Sequence, residues 1–572
     1  MNTSPHRQPA ATAAPRAPTV LILGAGINGA ALARELLLTG ISVKVVDTGD
    51  LARGATAYSS RLIHGGLRYL EYGEFDLVRE SLAERTRLLR LAPHFVRPLK
   101  LFIPTANRWG GLSESAGRFL GRRSNKDAQP AQRGLWLVRA GLTLYDWYAR
   151  DPTLPRHQIV SSRDAAPPVD RHRYPWLCAY HDAQVRYPER FVVALLDDAR
   201  RLAAEQKLEF ELLTYHRATL RGGAVEITAM PGAEVTECPM EMKPAAIVNA
   251  TGAWVDETLA ALRTPAEKLM GGTKGSHFVT WHEGLREAVA QGGIYAEAGD
   301  GRPIFILPFG DAVLVGTTDL PYTGDPAGAV ATDEELDYLV AAVNHVFADL
   351  GLTRSDIGLH YSGVRPLPRA DKTTPAAVTR RHWLEEHVGA AVPLFSVIGG
   401  KLTTCRSLAE SSVATIRARL GLPAPRRTSR DRPLPGGEHF PLNEAALEEH
   451  WSEVARRTSF APEQVRAVWA LHGTQTAEIL SQIKADHESV PGSDLPAGFV
   501  AWVIEHEWVR RLDDLLERRL MLLYDRRLSA ATLRRLAEIL VRAGRLTASQ
   551  AEAEVQGTVE RLGRHFGKRL PG

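Results

Sequence analysis

Cysteine is scarce in this sequence. There are three in 572 residues, Cys178, Cys238 and Cys405, far apart and with no CxxC pair. That excludes a disulfide framework and a zinc ribbon, and it fits a reducing cytosol. No metal site is expected. No apolar run reaches the length of a membrane-spanning helix. Residues 1–18 lack the apolar core of a secretory signal. Rich in Ala, Pro and Thr, with Arg7 and Arg16 and no acid, they read as a disordered tail. A net charge of +4 is too small to imply nucleic acid. What is present is ordinary for a water-soluble protein, 44% hydrophobic and 24% charged. The length is too great for a single core, so several domains are expected.

The chain is organised around residues 19–47. Val20 to Leu23 form an apolar strand, and Gly24-x-Gly26-x-x-Gly29 follows at once. A helical pattern on Ala33, Leu36 and Leu37 comes next, and a second strand, Ser42 to Val46, ends in Asp47. This is the βαβ dinucleotide fingerprint in its required context. Gly24 allows the tight turn, Gly26 the approach of a pyrophosphate, and Gly29 close helix–strand packing. The helix N-terminus offers N–H groups to phosphate, and Asp47 can accept from ribose hydroxyls. The stretch itself does not separate FAD from NAD.

Further along, periodicity predicts a helix from about Glu74, a strand over 98–104, helices over 135–149, 189–206 and 333–350, and strands over 208–213, 224–229 and 246–249. Residues 268–319 alternate strands and turns. Residues 107–134 form a Gly-rich basic insert in which Leu112, Ala116, Phe119 and Leu120 fall at helical spacing among Arg118, Arg122 and Arg123, a pattern suited to an anionic membrane surface or to a surface loop. Residues 423–438 read as a linker. Beyond it the chain is almost wholly helical, with Trp451, Val465, Trp469, Trp502, Trp508, Leu512, Leu515 and Leu516 as core candidates. Its Arg-Arg pairs at 510–511, 518–519, 526–527 and 534–535 read as a solvated face, or as one turned to anionic lipid or a second subunit.

Four constellations carry chemistry. Ser59 to Glu71, SSRLIHGGLRYLE, crowds hydroxyls, His64, Gly65-Gly66 and Arg68-Tyr69 into a predicted loop, where the glycines would let backbone approach a flat ring. Ala250-Thr251-Gly252 follows a buried strand. Tyr361 to Pro366, YSGVRP, fixes Arg365 between stiff neighbours, with Arg369 nearby, and an arginine fork suits phosphate or carboxylate. Ile398 to Thr404, IGGKLTT, is a Gly-Gly turn opening a helix, with Lys401 placed to meet an anion.

Together GAGINGAALA, SSRLIHGGLRYLE, VNATGAWVD, KGSHFV, VGTTDLPYTGDP, YSGVRPL, GGKLTT and HEWVRRLDD, in this order, resemble the FAD-dependent, quinone-linked sn-glycerol-3-phosphate dehydrogenase family over about residues 19–530. The resemblance implies an α/β fold: a discontinuous glutathione-reductase-like FAD-binding domain (19–75, 155–260, 355–422), an antiparallel-sheet substrate or cap domain (76–154, 261–354) and an all-α C-terminal domain (439–572). It implies FAD held by Gly24, Gly26, Asn28, Gly29, Asp47, Ser59, Ser60, Arg61, Leu62, His64, Gly65, Thr251, Gly252, Gly400, Lys401, Leu402 and Thr403. It implies oxidation of sn-glycerol 3-phosphate to dihydroxyacetone phosphate, with Arg68, Tyr69, Arg365, Lys401 and Arg369 on the phosphate. The histidines in the family motifs, His64 ahead of His277, are the expected takers of the hydroxyl proton, and Arg365 could also stabilise the developing alkoxide. It implies a quinone acceptor, a peripheral position on the inner face of the cytoplasmic membrane, and a homodimer.

The sequence departs from the family pattern at several points. Asp47 stands for a common Glu, Arg61 for Lys, Ala253 for Pro and Cys405 for Tyr. VRYPERF, 185–191, stands for VDDARL, though Arg190 remains. None of these removes a charge assigned to substrate. Three other readings stand beside this one: a glycerol-3-phosphate oxidase using oxygen, an FAD-dependent amine or amino-acid oxidase, and a non-catalytic nucleotide-binding protein.

Overall fold

The computed structural model describes residues 17–110, 134–160, 166–233, 239–369, 381–441 and 443–571. The insert residues 111–133 therefore lie outside the described residues. The fingerprint strand Thr19–Leu23 is central in a six-stranded sheet. It pairs in parallel with Ser42–Val46 on one side and Ala246–Asn249 on the other, and Leu23 is level with both Val46 and Asn249. This register brings Gly24, Asp47 and Ala250 together at the carboxyl ends of three neighbouring strands, where ligands of such sheets bind. Phe210–Leu213 and Leu394–Ile398 extend the sheet in parallel, and Trp383–Glu386 closes it as an antiparallel edge. The helices Ile27–Leu38, Pro188–Gln206 and Cys405–Arg419 cover it. Leu32, Leu36, Leu196 and Val413 pack with Ile22 and Val45 in one core.

A second sheet has ten strands, antiparallel except where Gly293–Glu297 lies parallel to Val96–Thr105. It includes Leu62–Ile63, Gln158–Val160, Trp176–Val185 and Leu359–Arg365. The segment boundaries read from the sequence put those four strands in the FAD-binding domain. They pair instead with the large sheet, because a strand's partners depend on register across long loops and not on local pattern. Tyr180, Leu101, Leu307 and Leu359 share one core with the buried positions of the C-terminal helices.

Residues 444–566 are helical in pattern, as expected. Val465, Trp469, Leu512, Leu515 and Leu516 are buried, while Trp451, Trp502 and Trp508 are only partly so. One expectation fails here. Arg518 and Arg519 do not face solvent. They are 2% and 0% exposed and both grip Asp50.

Candidate functional site

The fingerprint turn forms the first wall. Gly24 has φ +102, and a Cβ there would meet Ala250 O at 2.7 Å; a Cβ on Gly29 would sit 1.9 Å from Gly24 O. Both positions need glycine for the fold alone. A Cβ on Gly26 would meet only Thr56 Oγ1, at 3.4 Å. Asp47 accepts from the backbone N–H of Ala25 at 2.7 Å and of Gly49 at 2.9 Å. Burial pushes its carboxyl up to about 6 against the pull of those two N–H groups. The helix opens with no acid in its first turn, so no carboxylate there neutralises its positive end.

The second wall joins two loops. Gly399 and Gly400 have φ +73 and +101, and a Cβ on Gly400 would strike the Asn28 amide at 2.7 Å. The Gly-Gly turn thus lies against the fingerprint helix. Thr403 Oγ1 accepts from His64 N–H at 3.1 Å. Lys401 Nζ donates to Ser81 Oγ at 2.8 Å and stands 4.8 Å from the centre of the Tyr69 ring. His64 and Tyr69 are ring neighbours at 6.4 Å. Arg68 is half-buried on the same 3-10 turn, Leu67–Tyr72. His64 and Tyr69 from one loop and Lys401 from another, far along the chain, therefore share one wall.

The third wall is the face of the large sheet carrying His277 and Arg365. His277 is level with Tyr361 on one neighbouring strand and Gly316 on the other. Its ring stacks on Tyr361 at 5.0 Å, and Nε2 bonds Ser60 Oγ at 2.9 Å. Nδ1 is buried without a partner. Burial, then the guanidiniums of Arg365 and Arg61, hold this imidazole well below the usual histidine range, so it is neutral. The Arg365 guanidinium lies where a side chain on Gly275 would be, at 2.3 Å from that Cβ position. It donates to Asp319 at 2.8 Å and Thr317 Oγ1 at 2.9 Å. Two glycines, 275 and 316, thus make room for the two groups the sequence singled out on these strands.

Some expected residues do other work. Arg61 spends its two terminal guanidinium nitrogens on protein. Fully buried at φ +57, it holds Glu189 through two bonds of 2.7 and 3.0 Å, the carbonyls of Ala57 and Arg186, and Tyr524 Oη. Leu62 is buried in the large-sheet core. Gly65 makes its close approach to Leu82 and Tyr145, at 2.6 Å from a would-be Cβ, and Gly66 to Tyr69. On the side where a Cβ would stand, both glycines are therefore met by protein. Ser59 binds Thr56 O, and its own carbonyl accepts from Tyr361. Thr251 is held by Asn249, and Gly252 has φ +62 beside Pro366. Leu402 is buried on the turn after Lys401. Arg369 is exposed, with its N–H on Leu269 O. Sequence reasoning missed Ser81 and gave no role to Tyr361 of the quoted YSGVRP, nor to Thr317 and Asp319; these position Lys401, His277 and Arg365. Thr317 and Asp319 stand in the quoted VGTTDLPYTGDP, where the signal was present without a role.

Residues 19–405 match the family model described as FAD dependent oxidoreductase, and residues 427–551 the C-terminal domain of alpha-glycerophosphate oxidase. The chain is 34% identical to a glycerol-3-phosphate dehydrogenase of Synechocystis sp., over 87% of this chain and 88% of that one. It is 31% identical to D-erythritol 1-phosphate dehydrogenase of Brucella abortus, over 89% and 95%. Among solved structures, glycerol-3-phosphate dehydrogenase from Bacillus halodurans complexed with FAD superposes with a TM-score of 0.70 at 22% identity, over 96% of this chain and 95% of that one.

The cofactor of this family is FAD, and the residues present fit it. The open side of Gly26, the uncompensated helix N-terminus and the acid Asp47 line up in the order pyrophosphate and then ribose require. Asn28 Oδ1, where the Gly-Gly turn meets that helix, is buried with no hydrogen-bond partner, an acceptor left for a ligand donor.

Proposed function

The chain belongs to the FAD-dependent glycerol-3-phosphate dehydrogenase family, and we propose that it oxidises sn-glycerol 3-phosphate to dihydroxyacetone phosphate. The observation that carries this reading is the pairing on one sheet face of a neutral buried histidine with an arginine whose guanidinium lies two strand positions away, over Gly275. A base and a phosphate-binding cation side by side suit a small phosphorylated alcohol.

In this reading Arg365, Lys401 and Arg68 converge on the phosphate, with Tyr69 against the Lys401 ammonium. FAD, when bound, supplies the acceptor for the hydride leaving C2. His277 takes the hydroxyl proton at Nδ1, its partnerless nitrogen, while Ser60 holds Nε2. This reverses the order read from the sequence, because the His277 ring shares a sheet face with Arg365, whereas His64 lies beside Tyr69 with its backbone tied to Thr403. Arg365 then faces the oxygen on which charge develops.

For the acceptor we favour a quinone at a membrane surface. Support comes from one stripe of the helix Leu135–Ala149 and its neighbours. Trp109, Trp136 and Trp147 are 69, 38 and 58% exposed. Arg139 and Arg150 lie over Trp136 and Trp147, and Arg108 over Trp176. Tryptophan with arginine suits an anionic lipid interface. No helix among the described residues is long and apolar enough to cross a membrane.

An anaerobic titration tests the substrate. Glycerol 3-phosphate should bleach the flavin band of the purified protein, and a spectrum it leaves unchanged overturns the reading. D-erythritol 1-phosphate, suggested by the Brucella abortus relative, is titrated in parallel, and bleaching by it alone makes it the substrate. Reoxidation by a short-chain quinone faster than by oxygen supports the acceptor, whereas peroxide release at the full turnover rate makes the protein an oxidase.

A further inference from the structure

The segment from Asp47 to His64 meets the cofactor side at four positions and has little regular structure of its own. Asp47 turns to the fingerprint, Thr56 Oγ1 receives Ile27 N–H at 3.1 Å, Ser60 meets His277, and His64 meets Thr403. Between these positions, the residues that face the other way are held by the C-terminal helices. Asp50, 0% exposed, accepts from Arg518 Nε at 2.5 Å and from both terminal nitrogens of Arg519 at 2.8 and 2.7 Å. Those guanidiniums are fixed in turn: Arg518 on Glu517 and Asp514, Arg519 on the carbonyl of Glu507. Asp514 also receives Tyr215 Oη at 2.6 Å, and the Tyr215 N–H binds Gly49 O. Burial alone would raise the Asp50 carboxyl, but Arg519 and Arg518 outweigh it and hold the group below the usual range.

The second grip is on Tyr58, against Phe566 at 6.2 Å between rings and within 3.4 Å of Arg561, itself bound to Glu517. The third is on Arg61, whose guanidinium meets Tyr524 Oη at 2.5 Å. Positions 50, 58 and 61 face the C-terminal helices, and positions 47, 56, 60 and 64 face the cofactor side. We propose that the C-terminal helical domain is a positioning clamp for this loop, and that Asp50, Arg518, Arg519 and Tyr524 set the affinity for FAD by holding the loop in its binding shape before FAD arrives. An irregular loop would otherwise be ordered at the expense of binding energy, and preorganising it removes that cost.

The test uses the full chain and three variants: Tyr524→Phe, which removes one hydroxyl, Asp50→Asn, and Arg432→Gln as a control. Arg432 ties the linker to Asp198 without touching the loop. Flavin fluorescence on dilution gives the FAD dissociation constant, and circular dichroism and the Tm of the apoprotein report folding. The constant should rise ~3- to 10-fold in Tyr524→Phe and ~30-fold or more in Asp50→Asn. In Tyr524→Phe the apoprotein Tm should hold, and saturating FAD should restore kcat and the visible flavin spectrum. Arg432→Gln should change the constant less than ~2-fold. The proposal is overturned if folded Tyr524→Phe binds FAD as tightly as the parent, or if Arg432→Gln weakens it as much as Tyr524→Phe does. Should Asp50→Asn not fold, the Tyr524→Phe and Arg432→Gln pair still decides.

Discussion

Arginine meets carboxylate at nearly the same distance in two regions, and the two contacts mean opposite things. At the candidate substrate site Arg365 holds Asp319 at 2.8 Å, with both side chains 23% exposed. At the junction with the C-terminal helices Arg519 holds Asp50 at 2.7 Å and Arg61 holds Glu189 at 2.7 Å, with all four side chains no more than 1% exposed. Water decides the difference. A part-exposed pair contributes ~0–1 kcal/mol, so its partner can be exchanged for a phosphate. Stranding one member of a buried pair costs ~3–5 kcal/mol, so that pair does not open. A cation meant for a ligand is one whose resting partner is cheap to leave.

The comparison breaks most readily at its buried end. Glu189→Ala leaves the Arg61 guanidinium with only carbonyls and a tyrosine hydroxyl, and should lower unfolding free energy by ~3–5 kcal/mol in a denaturant titration. A loss under ~1 kcal/mol would put Arg61 in the same class as Arg365. At the open end, Arg365→Ala should leave a folded, yellow protein with kcat/KM lower by ~10²–10³-fold, as expected for removing a charge-assisted contact to phosphate and alkoxide. Normal turnover by that variant would remove Arg365 from the site.

The same contrast explains what could be read from the sequence. The strand, glycine turn, helix and acid of residues 19–47 are local, and the structure has them where the pattern put them. The helix Leu135–Ala149 matches the expected span. The partners of a buried arginine are not local. Glu189 is 128 residues from Arg61, and Asp50 is 468 from Arg518. An Arg-Arg pair in a helical segment looks the same whether it faces water or an acid from a distant loop, so 518–519 read as solvated. The site cations were nameable because each stands beside glycines or prolines that only a fixed backbone needs. What orients them is another matter: Thr317 does stand beside Gly316, but nothing local ties it to an arginine 48 residues on, and Ser81 and Asp319 are equally without a local link to their partners.

Acid separates the regions next. His94 and His472 are buried where the linker docks. Burial, then His472 and Arg190, lowers His94 to about 3, and burial with Arg190 and Arg201 holds His472 well below its usual range. Below pH ~6.5 the unfolded chain takes up protons that these folded histidines refuse. Stability should therefore fall by up to ~1.4 kcal/mol per pH unit for each, until the folded values are reached. The Tm should drop between pH 7.5 and 5.5. Over the same range kcat at saturating substrate should show no descending limb centred near 6.5, because His277 stays neutral. A Tm flat to pH 5.5, or a limb at 6.5, would contradict these assignments.

The smallest effect is the sharpest test of exchangeability. Asp319 occupies Arg365 in the resting site, so a phosphate must displace it or share the fork, and two anions then crowd one guanidinium. Asp319→Asn keeps an oxygen for one N–H and removes the charge. The pair being part-exposed, the change should amount to under ~1 kcal/mol. Its direction should be favourable: KM for glycerol 3-phosphate lower by ~2- to 5-fold, kcat little changed and Tm unaffected. Were Asp319 instead aligning Arg365 for the alkoxide, kcat would fall and KM would stay. A drop in Tm of the size expected for Glu189→Ala would make Asp319 a structural partner like Asp50. The distinction drawn from exposure would then fail at the residue where it matters most.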